Sequence, residues 1–308
     1  MECTRERKRP MISIQVQSVV YRNEKESLVR AVMAMTNAVR VFKEIDHQEC
    51  RVTFVYGDGS PERVMSEQDV QMLQKRTEQY LDFQYRVFGE NTGSAKGHNL
   101  LAKDAQTDYI LIMNPDVKVA PDCLREATKP FADEKVGMVE ARQTPLEHTK
   151  EYDVKTLETP WATTACALIR RDVLEELNGF DYETFFLYCD DLDFSWRLRL
   201  AGYKIIYNPS FIAYHAKTLS VDGKWQPTSA EVYYSAEAAL LMAHKWSNPE
   251  RVRKLLKRFE MSGENEKKAA AAFRKREKDG TLPKPIDREH TVARFIGDYY
   301  SEHRFFLG

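Results

Sequence analysis

The chain lacks most of the features that would assign it quickly. Its 308 residues hold only five cysteines, Cys3, Cys50, Cys123, Cys166 and Cys189, an odd number at long spacings with no C-x-x-C pair. That argues against a disulfide framework or a zinc knuckle and points to a reducing, cytoplasmic setting. No apolar run approaches the length needed to cross a bilayer. The basic residues at 5–9 are followed not by a continuous apolar run, as a signal peptide requires, but by alternation: Ile12, Ile14 and Val16 apolar, Ser13, Gln15 and Gln17 polar. The formal charge is −1, from 46 basic and 47 acidic residues. No global field therefore draws nucleic acid, and an anionic ligand must be held by a local site. Neither G-x-G-x-x-G nor the P-loop sequence occurs, and there is no internal repeat or low-complexity linker. What remains is an ordinary globular composition, 43% hydrophobic and 30% charged, in a chain long enough for an α/β core with added elements.

The hydrophobic pattern predicts strands at 11–20, 52–56, 83–88 and 109–113, separated by helices at 24–40, 66–80 and 97–105. Such alternation implies a mostly parallel central sheet with helices on both faces. Beyond it the pattern predicts a helix at 121–131, a strand at 136–141, a polar loop over 142–160 and a strand at 165–170 running into a helix at 171–178. A helix at 190–200 and two strands, 203–207 and 211–215, close the α/β part. From about residue 230 to the end the chain reads as helical and strongly charged. The domain organisation expected is two halves of one domain, 1–116 and 117–229, with a helical C-terminal extension over 230–308.

Four groups of residues are candidates for chemistry. Asn114-Pro115-Asp116 follows the apolar strand 109–113, and in open α/β sheets ligands bind beyond the carboxyl ends of the strands. A carboxylate there suits a hard cation, which takes one or two carboxylates plus phosphate oxygens, or it makes an Asx turn beside a proline. Asp190-Asp191-Leu192-Asp193 opens a helix whose Leu192, Trp196 and Leu200 form an apolar face. Carboxylates at a helix N-terminus complement its dipole whatever their function, and Asp193 with Arg197 has the order of a structural i, i+4 pair. His215 ends a strand, as a metal ligand or as a hydrogen-bonded structural residue. The stretch from Asn91 and Gly93 to Asn99 precedes a helix and would let a nucleoside or phosphate approach the backbone.

In order and context these groups form a series: Asp58-Gly59-Ser60, Asn91 to Asn99, Asn114-Pro115-Asp116, Trp161, Gly179-Phe180-Asp181, Phe185-Phe186, Asp190 to Asp193, Trp196-Arg197, Gly202-Tyr203 and His215. The series resembles the family-2 glycosyltransferases of the GT-A fold, and among them the bacterial rhamnosyltransferase-like and galactofuranosyltransferase-like branch. The resemblance covers residues 11–216 and is most specific from Gly179 to Gly202. It implies an inverting transferase that moves a sugar, L-rhamnose from dTDP-rhamnose ahead of UDP-linked sugars, onto a hydroxyl of a glycan or lipid-linked glycan. By the same resemblance Asp191 matches the catalytic base, with Asp190 as second acid. Asp116 matches the metal-binding carboxylate, with Asn114 where a first aspartate is usual, and His215 completes a site for Mg²⁺ or Mn²⁺. Asp58, Asn91, Gly93, Asn99 and Asn114 match the nucleotide pocket, and Trp161 an acceptor loop. Two departures are Gly57, where many relatives carry aspartate, and Thr164, where glycine is common.

Two other readings compete. A sugar nucleotidyltransferase requires a glycine-rich basic loop after the first strand, where this chain has Tyr21-Arg22-Asn23-Glu24. A non-catalytic sugar-nucleotide-binding or scaffold protein is opposed by the complete set of Asp116, Asp191 and His215. The last part carries no family motif. There Val252, Leu255, Leu256 and Phe259 lie at helical spacing among basic residues, as in a helix that lies on an anionic membrane, or one that packs on the catalytic domain or in a homodimer.

Overall fold

The computed structural model describes residues 10–215 and 227–305. The first half alternates regularly: β1 (Ile12–Val20), α1 (Lys25–Glu44), β2 (Cys50–Asp58), α2 (Glu67–Thr77), β3 (Asp82–Val87), α3 (Gly93–Ala102) and β4 (Tyr109–Met113). Next come β5 (Val117–Val119), α4 (Cys123–Thr128) running into a 3-10 turn, β6 (Val136–Thr144), β7 (Cys166–Arg170), α5 (Arg171–Glu176), α6 (Asp190–Leu200) and β8 (Lys204–His215). Three helices follow, α7 (Ser229–Lys245), α8 (Pro249–Glu260) and α9 (Glu264–Lys278).

One eight-stranded sheet has the order β3-β2-β1-β4-β7-β6-β8-β5. The β1–β4 pairs are parallel, as is β6–β8, whereas β7 runs antiparallel to both its neighbours and β5 antiparallel to β8. The sheet is thus mostly parallel but mixed beyond β4. Strand alternation sends Leu111 and Met113 into a core shared with α1, α2 and α4, while Ile110 and Ile112 enter a second core with α3, α5 and α6. The glutamines of β1 do not face solvent. Gln15 and Gln17 are buried under α3 and donate to the carbonyls of Leu101 and His98, which satisfies them without water.

Four expectations need correction. The two strands expected at 203–207 and 211–215 are one, β8, because the chain carries its pairing with β6 across a bulge at Asn208–Ile212, where Pro209 interrupts the apolar pattern. Leu200 is not part of the buried face of α6. It is 48% exposed, while Leu192, Phe194, Trp196 and Leu198 are all buried, so the helix is enclosed nearly all round. Among the described residues the extension is helical only as far as Lys278, and residues 281–305 pack back on the rest without a helix. The apolar stripe of α8 is covered: Val252, Leu255, Leu256 and Phe259 share one core with α7, α9, Trp161, Leu192 and Trp196. A helix lying on a membrane through that stripe is incompatible with this packing. Asp193 and Lys245 fasten the extension. The fully buried Asp193 carboxylate accepts from Arg197 Nε (2.8 Å) and Trp246 Nε1 (3.0 Å), and Lys245 Nζ lies 2.6 Å from it and 2.7 Å from Asp181.

Candidate active site

A cavity of about 330 Å³ opens at the carboxyl end of β4, and its wall includes Asn114, Gln143, Thr163, Thr164, Asp190, Asp191 and His215. Each side arrives by a different device. Residues 114–116 leave β4 and enter β5, a three-residue strand too short to read from sequence. It pairs antiparallel with the end of β8, setting Val117 opposite His215. That pairing puts Asp116 Oδ2 3.4 Å and Asn114 Nδ2 3.5 Å from His215 Nε2.

On the opposite wall the chain enters α6 through two successive residues in the left-handed region, Tyr188 (φ 67°) and Cys189 (φ 57°). Neither is glycine, so this turn stores backbone strain, on the order of 1–3 kcal/mol per residue, which the surrounding packing must sustain. Its result is that Asp190 and Asp191 both sit in the first turn of α6, facing the cavity. The approach is held from below by Gly93 (φ 67°): a Cβ there would overlap the Phe186 carbonyl, and the next residue, Ser94, donates its N–H to that carbonyl at 3.2 Å. The glycine therefore admits the carboxylate-bearing segment of the chain itself.

Burial raises the pKa of Asp190 above the ordinary carboxylate range, and repulsion from Asp191 adds to it, against a hydrogen bond from the Ser94 side chain. Burial also raises Asp191, opposed by the backbone N–H groups of Leu192 and Thr164 and by the positive charge of Lys150. Asp190 is buried, whereas Asp191 is partly open to the cavity. Of the two, Asp191 is the more accessible from the cavity.

His215 is buried, and its Nδ1 faces Gln143 Oε1 at 3.0 Å. The orientation of that amide is set from its other end, because Gln143 Nε2 donates to Thr163 Oγ1. The amide oxygen therefore accepts the Nδ1 proton, leaving the Nε2 lone pair directed to the side where Asp116 lies, as in histidines that ligate metals. Among the described residues no three His, Cys, Asp or Glu side chains gather to hold a cation unaided. A histidine and one carboxylate suit a divalent ion that completes its shell with phosphate oxygens. Gln143 was missed by sequence reading because 142–160 reads as a polar loop. It lies in phase with Val139 and Ala141 on β6, and a longer alternation would have found it.

The other expected residues lie elsewhere. Asp58 is fully buried, with Oδ1 accepting from Ser60 N and Oδ2 from Val64 N, both at 2.8 Å, and with the Tyr85 hydroxyl also on Oδ2. It shapes the loop after β2 and does not reach the cavity wall. Gly57 has no room for a side chain, since a Cβ would overlap the Phe88 ring. Asn91 is exposed and caps Gly93 N at 3.2 Å. Asn99 clasps the Phe180 backbone, accepting from its N–H (2.9 Å) and donating to its carbonyl (2.8 Å). It borders a separate hollow of about 300 Å³ between α3 and α5, which contains none of Asp116, Asp190, Asp191 or His215. Trp161 is buried below the cavity, with Nε1 donating to Ser301 Oγ at 3.3 Å.

Comparison with known proteins accords with this architecture. Residues 19–178, more than half of the chain, match the family model for glycosyl transferase family 2. The chain belongs to that family. The matched stretch ends before α6 and His215. Among curated relatives, the rhamnosyltransferase WbbL of Escherichia coli is 27% identical over 161 residues, 42% of this chain and 60% of that protein. An N-acetylglucosaminyl-diphospho-decaprenol L-rhamnosyltransferase of Mycobacterium tuberculosis is 29% identical over 149 residues, covering 37% and 48%. The chain thus spans about half the length of the curated relatives it matches. A mannosyltransferase from Pyrobaculum calidifontis, solved with GDP-Man and Mn²⁺, aligns over 91% of this chain and 83% of its own with a TM-score of 0.55 at 18% identity. GalNAc-T7, solved with UDP, GalNAc and Mn²⁺, aligns over 77% and 48% with a TM-score of 0.56 at 12% identity. The fold is GT-A, with α7 to α9 added to it.

Proposed function

We propose that the protein is an inverting glycosyltransferase that moves a sugar from a nucleoside-diphosphate donor to a hydroxyl acceptor. The observation that carries this reading is one cavity with the Asp190–Asp191 pair on one wall and Asn114 and His215 on the other. A sugar hydroxyl is a weak nucleophile at neutral pH, so a carboxylate must take its proton as it attacks. Asp191, at the mouth and with its pKa raised by burial, is assigned as that base. Asp190, more enclosed and raised further by its neighbour, keeps the pair from holding two full charges. Asp116 and His215 are assigned to Mg²⁺ or Mn²⁺, and Gln143 to fixing the histidine tautomer. When bound, the ion would supply Lewis-acid stabilisation of the diphosphate leaving group. Attack by the hydroxyl on the anomeric carbon from the side opposite the diphosphate inverts that centre.

The rhamnosyltransferase names of the curated relatives favour dTDP-rhamnose as donor over UDP-sugars, and a glycan or lipid-linked glycan as acceptor. In this reading residues 1–116 bind the donor and 117–229 carry the base and the acceptor wall. Asp58, Asn91, Gly93 and Asn99 act on the nucleotide only by shaping the loops around it, and Trp161 supports the acceptor side from beneath. The enzyme would work at the cytoplasmic face, and no helix among the described residues is long and apolar enough to cross a membrane. Contact with that face would then be electrostatic, or the extension would serve a homodimer. The deciding experiment is release of dTDP from dTDP-rhamnose with and without Mn²⁺: metal-dependent release is expected, and a scaffold protein would show none.

A further inference from the structure

The C-terminal tail reaches the site from behind at several separate points. Tyr300 Oη lies 3.9 Å from the Sγ of Cys189, the strained residue that precedes Asp190. Ser301 accepts from Trp161 Nε1, and the Glu302 carbonyl accepts from Glu151 N at 2.9 Å. His303 pairs antiparallel with Lys150 as an isolated bridge. Arg304 does most. Its N–H donates to the Thr149 carbonyl (2.7 Å), its Nε to the Lys150 carbonyl (3.1 Å) and its Nη1 to Glu147 Oε1 (2.6 Å). Its guanidinium stacks 4.4 Å from the Tyr207 ring centroid and 4.8 Å from that of Tyr152. The residues it holds adjoin the cavity directly, since Leu146, Glu147 and His148 form part of the wall.

Behind that wall runs a buried polar relay. Lys150 Nζ, almost wholly enclosed, sits 2.6 Å from Glu140 Oε1 and 4.5 Å from the centroid of the Trp161 ring. The same Glu140 oxygen accepts from the Thr163 N–H and hydroxyl, both at 3.1 Å. Thr163 accepts from Gln143, which orients His215. A buried ion pair tolerates little displacement, because separating its partners leaves an uncompensated charge in the interior. The tail thus fixes the backbone of the residue whose ammonium anchors the relay.

We propose that residues 300–305 form a strap that holds both acceptor-side loops, 144–164 and 185–191, in their working arrangement, with Arg304 as its principal positioning residue. The catalytic part of this claim rests on the glycosyltransferase reading above, and the mechanical part does not. The test uses the full chain carrying Arg304→Ala, and a chain ending at Tyr299 as a second variant should the first fail to fold. Hydrogen exchange should accelerate by about tenfold or more in peptides covering 146–152 and 187–191, while peptides from β1 and β4 keep their protection. Affinity for dTDP with Mn²⁺ should stay within about twofold of the parent, while dTDP release from dTDP-rhamnose falls about tenfold, because misplaced catalytic groups lower turnover more than binding. Unchanged exchange in those two stretches overturns the strap. So does a loss of affinity equal to the loss of rate, which would mark general destabilisation. If the parent protein itself releases no dTDP, the functional reading fails, and the exchange arm alone decides the mechanical claim.

Discussion

The loop after β2 and the first turn of α6 each present aspartate in a setting that suggests ligand binding, and the fold uses them in opposite ways. Asp58 spends its oxygens on Ser60 N, Val64 N and the Tyr85 hydroxyl, all within its own neighbourhood. Asp190 and Asp191 are crowded together at the end of a strained turn, with their charges disfavoured by burial, and they face open space. A carboxylate enclosed among its donors shapes a loop, whereas one whose charge is disfavoured by burial and which borders a cavity is placed for proton transfer. The glycines do not divide this way: Gly93 and Gly57 both serve close packing of the protein on itself.

That contrast predicts a ranking of effects. Asp191→Asn should lower turnover of dTDP-rhamnose by at least about a hundredfold while leaving dTDP binding near the parent value, as loss of a general base does. Asp58→Ala should act on the fold, costing about 2 kcal/mol in a urea titration because the buried Ser60 N–H and the Tyr85 hydroxyl lose their acceptor and the part-buried Val64 N–H loses one of its two. Gln143→Leu removes the acceptor of the His215 Nδ1 proton and should weaken Mn²⁺ binding in the presence of dTDP by about tenfold, measured by calorimetry. Chelation should abolish activity in the parent, and added Mn²⁺ or Mg²⁺ should restore it.

The smallest effect concerns pH. The folded pKa of Asp190 is raised, so between the ordinary carboxylate range and that raised value the folded protein binds more protons than the unfolded chain. The contribution of Asp190 to stability is therefore fully present below the ordinary carboxylate range and is lost progressively as pH rises to the raised value. Asp190→Asn removes that loss. In metal-free buffer its Tm relative to the parent should be higher at pH 8 than at pH 5 by about 2 °C. Scanning calorimetry at the two pH values checks this, and equal differences would mean that Asp190 is not held protonated.

The order of the elements through β4 was legible because short β-rich runs alternate with apolar residues at helical spacing, and the carboxylates of α6 were legible because they open a helix behind an aromatic run. Three features were not. β5 has three residues, too few for any period to register, yet it brings Asp116 to His215. Gln143 lies in an extension of β6 whose polar composition imitates a loop. Among the described residues the tail from 281 to 305 forms no helix or strand and so has no period, and the role proposed for it rests on contacts with residues more than a hundred positions away, such as Arg304 with Lys150. Pairwise contacts of that range leave no mark in a local pattern.

Whether catalysis resides in the first turn of α6 or in the loop after β2 is decided by measuring dTDP release per folded molecule in Asp191→Asn and Asp58→Asn side by side. Asp191→Asn should be folded and slow, whereas Asp58→Asn should be less stable but turn over near the parent rate in its folded fraction. A folded, stable Asp58→Asn protein that has lost turnover, beside an active Asp191→Asn protein, would contradict the assignment of catalysis to α6.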